Sequence, residues 1–172
     1  MKKENVLLVD GYNIIGAWEE LRRLKDKQLE ESRDLLIERM AEYKAYTGWR
    51  VIVVFDAYMV PGIESKKKRH DVEVLFTREN ETADERIEKL VSELIHRRIQ
   101  IHVATSDLTE QWIIFAQGAL RKSARELEIE MKEILKLITG KVKDFEEQRP
   151  SSKIPLTDEI KEIFEKWRRG IR

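Results

Sequence analysis

The chain of 172 residues combines 41% hydrophobic with 38% charged residues and has only three prolines, which excludes collagen-like and low-complexity classes and predicts a helix-rich globular protein. Its 33 basic and 33 acidic side chains cancel, which excludes the strongly basic footprint of many nucleic-acid-binding proteins but allows a local basic patch. Because the chain has no cysteine, zinc-thiolate sites, iron–sulfur clusters and cysteine nucleophiles are excluded, and a bound metal would need oxygen or imidazole ligands.

Short apolar runs predict four strands of an open, mostly parallel sheet. The runs at residues 6–9 and 51–55 are continuous and end in Asp10 and Asp56, as expected of strands buried on both faces. A helix predicted from about residue 32 to residue 46 joins them in a β-α-β crossover. Residues 72–76 and 99–104 predict the third and fourth strands. The sequence therefore predicts an α/β fold.

Helix signals dominate the second half of the chain. The segment from Thr82 to Glu85 matches a capping box and is followed by a stripe of apolar residues at helical spacing. A long amphipathic helix is predicted to begin near Leu120 and to end near Gly140.

The predicted elements divide the chain into two parts. A compact domain is expected at residues 1–140, because the polar stretch that follows carries two of the three prolines. Thr157 begins a predicted final helix. Residues 141–172 are therefore expected to form a linker and a C-terminal helix that packs on the domain or extends from it.

Acidic residues mark the candidate site. Three predicted strands each deliver an aspartate to the carboxyl edge of the sheet, where open parallel sheets bind ligands, and a fourth aspartate lies in the first turn of a helix: Asp10, Asp56, Asp107 and Asp84. Hard divalent ions such as Mg²⁺ or Mn²⁺ take carboxylate oxygens and water, so these acids could converge to support metal-assisted phosphodiester chemistry. Each aspartate could instead be only a turn former or a helix cap.

Nucleotide-cofactor motifs are absent from the first strand and turn. Gly11 and Gly16 do not form a dinucleotide fingerprint, and no Walker-type Gly-Lys-Ser/Thr follows. We therefore expect no small organic cofactor. Trp18, which follows this turn, could stack on a nucleic-acid base.

Two groups of basic residues could bind RNA phosphates. The densest run is predicted to lie in a loop between the second and third strands, near the active edge, and consists of Lys66, Lys67, Lys68 and Arg69. A second group recurs at the start of the long helix and consists of Arg121, Lys122 and Arg125. Either group could instead be a solvated surface that balances neighbouring acids.

Several segments together resemble a known family. Those near the predicted acids resemble the motifs of NYN domains, which are nucleases of the PIN-like fold: Asp10-Gly11-Tyr12-Asn13, Val54-Phe55-Asp56, Asn80-Glu81-Thr82-Ala83-Asp84 and Ala104-Thr105-Ser106-Asp107. Residues 118–127 and 164–170 also resemble the bacterial YacP-like branch. The resemblance covers essentially the whole chain, and the order of the motifs makes it specific.

The resemblance implies a PIN-like three-layer fold with about four strands, a C-terminal helical extension and the activity of an endoribonuclease that uses Mg²⁺ or Mn²⁺. For the YacP-like branch it further implies association with the ribosome and cleavage of mRNA in the A site. Carried over by position, the metal-site acids are Asp10, Asp84 and Asp107, with Asp56 and Glu81 as further candidates. Asn13 would orient water or phosphate and completes the catalytic set with Asp10, Asp84 and Asp107.

Three functional hypotheses follow. The leading one is a metal-dependent endoribonuclease acting on single-stranded RNA, with target choice borrowed from a larger partner. The alternatives are a noncatalytic RNA- or ribosome-binding module with structural acids, and a phosphatase-like hydrolase of small phosphoesters, which should need a lid that the sequence does not provide. No apolar run approaches the roughly 20 residues of a membrane span, and no signal-type run is present, so we expect a cytoplasmic protein without a membrane partner.

Overall fold

The computed structural model describes residues 2–57, 66–69, 71–107, 113–114, 116–147 and 163. Within these residues the strands are Glu4–Asp10 (β1), Arg50–Phe55 (β2), Lys66–Arg69 (β3), Val72–Phe76 (β4), Ile99–Ala104 (β5) and Leu120–Lys122 (β6). The helices are Gly11–Ala17 (α1), Glu19–Lys25 (α2), Leu29–Thr47 (α3), Ala83–Leu94 (α4) and Ala124–Glu147 (α5). In the described part of the chain, no helix combines the length and apolarity needed to cross a membrane.

The six strands form one sheet in the order β3-β4-β2-β1-β5-β6. β1 occupies the centre and pairs in parallel with β2 and β5, while β3 alone runs antiparallel, along β4. The α/β class, the mostly parallel sheet and the four predicted strands are therefore confirmed. Because the strands of this parallel core are covered on both faces, they read as continuous apolar runs.

The sheet is the middle of three layers. Leu7 and Val9 of β1 pack into a core shared with α1, α2, α3 and α5, and their neighbours Val6 and Leu8 face a second core shared with α4. All four side chains are fully buried. The alternation of side chains along β1 thus supplies both cores, while the carboxyl end of the strand stays at the edge of the sheet.

The basic run 66–69 is not the loop that the sequence predicted, because it forms β3. Its backbone pairs with β4 from Lys66 opposite Leu75 to Arg69 opposite Val72. Lysine-rich edge strands are tolerated, since water can solvate the outer side and the charges discourage pairing with other chains.

The predicted long helix was wrong at both ends. Its expected first residues form β6, and α5 begins only at Ala124, where the Ser123 hydroxyl accepts a hydrogen bond from the Glu126 N–H at 3.1 Å. α5 then continues through Gly140 to Glu147, since one glycine costs a helix only about 1 kcal/mol. The proposed domain boundary at residue 140 therefore falls inside a helix. The predicted final helix lies outside the described residues, apart from Ile163.

Helix α1 was not predicted, and a close contact explains the glycine with which it begins. A Cβ atom at Gly11 would overlap the ring of Phe55, which is fully buried. That ring packs between Tyr12, with ring centroids 5.1 Å apart, and Phe76, with centroids 5.6 Å apart. Gly11 therefore lets the first turn of α1 lie directly against the end of β2.

Replacing Gly11 by alanine should destabilise the protein by about 1–3 kcal/mol, because the added methyl group overpacks a confined ring. Gly16→Ala is the matched control, since a Cβ atom there meets nothing within 4 Å and alanine favours a helix by about 1 kcal/mol. Urea unfolding measures both variants. Equal stabilities of the two variants would contradict the proposed contact.

Candidate active site

Two aspartates meet at the carboxyl end of the central strand, and a third lies near them. Asp10 ends β1 with only 7% of its surface exposed, and its carboxylate accepts a hydrogen bond from the Asn13 N–H of α1 at 3.4 Å. Burial, followed by the charge of Asp84, raises the pKa of Asp10 to about 7; a hydrogen bond to Asp84 and the charge of Asp107 act in the same direction. The carboxyl groups of Asp10 and Asp84 are therefore in contact, and Asp107 is close enough for its charge to act on Asp10.

Local hydrogen bonds hold the other two acids in place. Thr82 begins α4 as its N-cap, with its hydroxyl accepting from the Glu85 N–H at 3.2 Å, which puts Asp84 in the first helical turn. After β5, the buried Thr105 hydroxyl accepts from the Asp107 N–H at 3.1 Å. Of the predicted capping box, the hydrogen bond to the Thr82 hydroxyl is confirmed.

Asn13 connects the acid cluster to the segment that follows β5. Its side-chain oxygen accepts hydrogen bonds from the Ser106 N–H at 2.8 Å and from the Ser106 hydroxyl at 2.9 Å. Because a backbone N–H can only donate, this contact assigns the amide orientation. Sequence reasoning missed this role of Ser106, although the residue lies in the segment from Ala104 to Asp107 that resembles a family motif. It was missed because the contact joins residues 93 positions apart in the chain.

Asp56 lies close enough to Tyr12 for its charge to act on the Tyr12 hydroxyl. Burial raises the pKa of Tyr12; the hydrogen bond from Arg33 opposes this shift, and the charge of Asp56 adds to it. The Arg33 guanidinium donates to the Tyr12 hydroxyl at 3.2 Å. Arg33 is thus a cation near the acidic edge that sequence reasoning missed, since nothing in the pattern of α3 distinguishes it.

Glu81 forms an ion pair within its own part of the chain. One carboxylate oxygen pairs with the Lys89 ammonium at 2.8 Å, while the other is buried without a hydrogen-bond partner among the described residues. Burial would raise the pKa of Glu81, but the hydrogen bonds from Lys89 and from backbone at Arg78 outweigh it and lower the pKa. The metal-binding roles of Asp56 and Glu81 stay predictions.

The chemistry of the acid cluster fits a hard divalent ion. Mg²⁺ is commonly bound by one or two carboxylates and several waters, and Asp10 and Asp84 supply such a pair. The described residues contain no group of three His, Cys, Asp or Glu side chains placed to hold a metal ion. A cation at this site would therefore be bound mainly by Asp10 and Asp84 together with water.

Lys122 does not fit the predicted RNA contact, because its side chain points into the protein. With 9% of its surface exposed, its ammonium donates to Glu130 at 2.6 Å and to the Tyr43 hydroxyl at 3.2 Å. The Tyr43 hydroxyl in turn donates to Glu130 at 2.9 Å. The contacts with Tyr43 and Glu130 explain the correction, while the preceding residue Arg121 is exposed.

One end of β3 also lies at the carboxyl edge of the sheet. Lys66 pairs with Leu75, Leu75 with Val54 and Val54 with Asp10, so these residues lie in one row across the sheet. At about 4.8 Å between strands, the backbone of Lys66 lies roughly 14 Å from that of Asp10. Because β3 runs antiparallel, Arg69 lies at the far end of the strand, away from the acids.

A central parallel sheet between helical layers, with an acid cluster at the carboxyl edge, defines a PIN-like nuclease-type domain. The chain belongs to the YacP-like NYN domain family, whose sequence model matches residues 7–169. It is 60% identical over 166 residues to the protein described as uncharacterized protein YacP from Bacillus subtilis (strain 168), covering 96% of this chain and 98% of that one.

Two crystal structures of Rae1 (YacP) from Bacillus subtilis share the fold. One, of a tryptophan-to-leucine mutant, gives a TM-score of 0.77 with 56% identity over 96% of each chain. The other gives a TM-score of 0.76 with 60% identity over 96% of this chain and 95% of that one. The family resemblance and the PIN-like fold are thereby confirmed, and membership implies a nuclease-type, RNA-related function.

Asp10→Asn should stabilise the metal-free protein at pH 8 and lose this advantage by pH 4. The folded pKa of Asp10, about 7, lies above the ordinary value of 3.8, so between these values folding requires a proton that the unfolded chain has released. Stability of the wild type therefore falls as pH rises through this window and stays low above it. At about 1.4 kcal/mol per pH unit, the difference at pH 8 should reach at least about 2 kcal/mol.

Urea unfolding in a chelating buffer at the two pH values measures this effect. Asparagine keeps the helix cap, and Asp26→Asn, at an exposed position after α2, serves as the control. A pH-independent difference, or a destabilised variant at pH 8, would contradict a repulsive acid pair.

Lys122→Met should destabilise the protein by about 2 kcal/mol, because it leaves the Glu130 carboxylate and the Tyr43 hydroxyl without their common donor. Arg121→Met, at the exposed neighbouring position, should change stability by less than about 0.5 kcal/mol. The comparison uses the same urea unfolding. If the two variants were equally stable, Lys122 would not hold these elements together.

Proposed function

We propose that the protein is a divalent-metal-dependent endoribonuclease that hydrolyses phosphodiester bonds in single-stranded RNA, with Mg²⁺ or Mn²⁺ as cofactor. The observation that carries the proposal is the direct contact of the buried Asp10 carboxyl with Asp84, with Asp107 nearby. A purely structural pair would more often join opposite charges, because a second carboxylate destabilises a buried one when no cation is present. The unfavourable arrangement is therefore better explained by function than by stability.

The residues of the candidate site would have different roles in such a reaction. A divalent ion bound here would polarise the phosphate and activate a water molecule. Asp10 and Asp84 would hold the ion, and Asp10 must release its proton to do so. Asn13, whose side-chain oxygen is held by Ser106, would direct its N–H donors to water or phosphate, and Asp107 would complete the catalytic set.

The RNA substrate is supported by family membership and by the position of basic residues. The Lys66 end of β3 lies level with Asp10 on one side, and Arg121 and Arg125 are exposed near the ends of β6 and α5 on the other. We therefore propose residues 66–69, Arg121 and Arg125 as phosphate contacts. The acids between them would repel RNA unless such cations offset their field.

The proposed target is mRNA in the A site of the translating ribosome. The YacP-like branch supports this proposal, and so does the zero net charge of the chain, which suits an enzyme that borrows affinity from a larger partner. Cosedimentation with ribosomes tests the association.

Asp10→Asn and Asp84→Asn should each reduce cleavage of a labelled single-stranded RNA by at least about 100-fold, because each removes a carboxylate from the ion. Both variants should stay folded and still bind RNA, with Asp26→Asn as an active control. Mn²⁺ should raise the melting temperature of the wild type more than that of either variant. Cleavage retained by a folded Asp10→Asn protein would disprove the proposed chemistry and favour a noncatalytic RNA-binding module.

A further inference from the structure

A groove of about 570 Å³ opens at the carboxyl edge of the sheet, on the β6 side of Asp10. Its size is in the range of small-ligand sites. The end of α1, the segment after β5 and the first turns of α5 line it, through residues that include Ala17, Trp18, Ser106, Ser123, Arg125 and Lys132. The three clustered aspartates are not among its lining residues, so the groove lies beside the candidate active site.

Ser106 joins the groove to the acid cluster. It lines the groove and donates two hydrogen bonds to Asn13, whose own N–H donates to Asp10. The strands end level here, since Ala104 of β5 pairs with Val9 of β1 on one side and with Lys122 of β6 on the other. A linear polymer bound in the groove would therefore extend past Ser106 towards Asp10.

The floor of the groove is rigid. The Trp18 indole N–H donates to the Ala124 carbonyl oxygen at 2.8 Å, which ties the end of α1 to the start of α5. Only 3% of Trp18 is exposed, so the prediction that its ring stacks on a base is wrong. Because Trp18 is already held in place, little of this wall needs to be ordered on binding.

The charges of the groove favour an anionic ligand. Arg125 and Lys132 are both exposed and stand seven residues apart on α5, which places them on one helix face about 10 Å apart. Glu128 lies between them, 3.9 Å from the Lys132 ammonium, and reduces the positive charge without cancelling it. The distance between the two cations suits separate phosphates along one strand better than a single small anion.

We propose that this groove binds the single-stranded RNA segment that flanks the scissile phosphate, with Arg125 and Lys132 contacting its phosphates. The inference rests on the proposed function, because it assumes that the RNA strand passes the acid cluster when it is cleaved. It adds a subsite for the substrate on the side of Asp10 opposite to Lys66. A flexible single strand can follow the groove past Ser106, whereas a duplex is too wide to enter it.

The affinity of a fluorescently labelled oligouridylate, measured by anisotropy in a chelating buffer, tests the groove without requiring cleavage. Arg125→Ala/Lys132→Ala should weaken binding at least 10-fold and reduce the salt slope by about 1.4, since each lost phosphate contact on a single strand is worth about 0.7. Arg97→Ala/Arg98→Ala is the matched control. It removes the same charge at exposed positions before β5, at the opposite end of the sheet.

Two further variants separate the groove from general attraction between charges. Ala17→Trp keeps every charge but narrows the groove at an exposed lining position, so it should also weaken binding, by at least about 5-fold. Glu128→Gln removes the acid found among the described lining residues and should strengthen binding about 2-fold or more. A duplex of the same length should be insensitive to Ala17→Trp. Melting temperatures verify that each variant is folded.

The outcomes distinguish this subsite from the proposed nuclease activity. If Asp10→Asn abolishes cleavage while Arg125→Ala/Lys132→Ala binds RNA with unchanged affinity and slope, the subsite is disproved and the nuclease proposal stands. If the groove variants lose binding while Asp10→Asn still cleaves, the subsite stands and the proposed chemistry is disproved. An equal loss of affinity in Arg97→Ala/Arg98→Ala, or full binding by Ala17→Trp, would also overturn the groove.

Discussion

Asp10 ends the central strand with its carboxyl group buried in contact with Asp84, an arrangement that is unfavourable whenever both groups are ionised. The raised pKa of Asp10 records this conflict between burial and charge. Burial of the two apolar cores on either side of β1 supplies the stability that offsets this repulsion. The fold thus gives up stability at one edge of the sheet to hold these two carboxyl groups side by side, and in the function proposed above they would hold the divalent ion.

Small contacts around β1 hold this edge in place. Gly11 lets α1 approach the ring of Phe55. Two buried threonines, Thr77 after β4 and Thr105 after β5, use their hydroxyl oxygens to accept backbone N–H groups. Thr77 accepts from Ala57 at 2.9 Å, and Thr105 accepts from Asp107 at 3.1 Å. These hydroxyls replace backbone acceptors where the ladder of the sheet stops. The acid-bearing segments after β2 and β5 are therefore anchored by side chains rather than left as loose loop ends.

The same sheet order separates structural cations from cations available to a ligand. Lys122 is buried in a network with Tyr43 and Glu130, and its carbonyl oxygen accepts from the Thr105 N–H at 3.1 Å. It thereby supports the segment that carries Asp107, while Arg125 stays exposed at the groove.

The sequence by itself determined the parts of the protein that depend on neighbouring residues: the four central strands, the capped start of α4 and the acids at strand ends. It could not determine β3 or β6, because these short strands carry charged residues and exist only through pairing with β4 and β5. It also could not show that Asp84 contacts Asp10, or that Lys122 is buried. Those outcomes were decided by tertiary structure, because they depend on packing between elements far apart in the chain, which no local periodicity records.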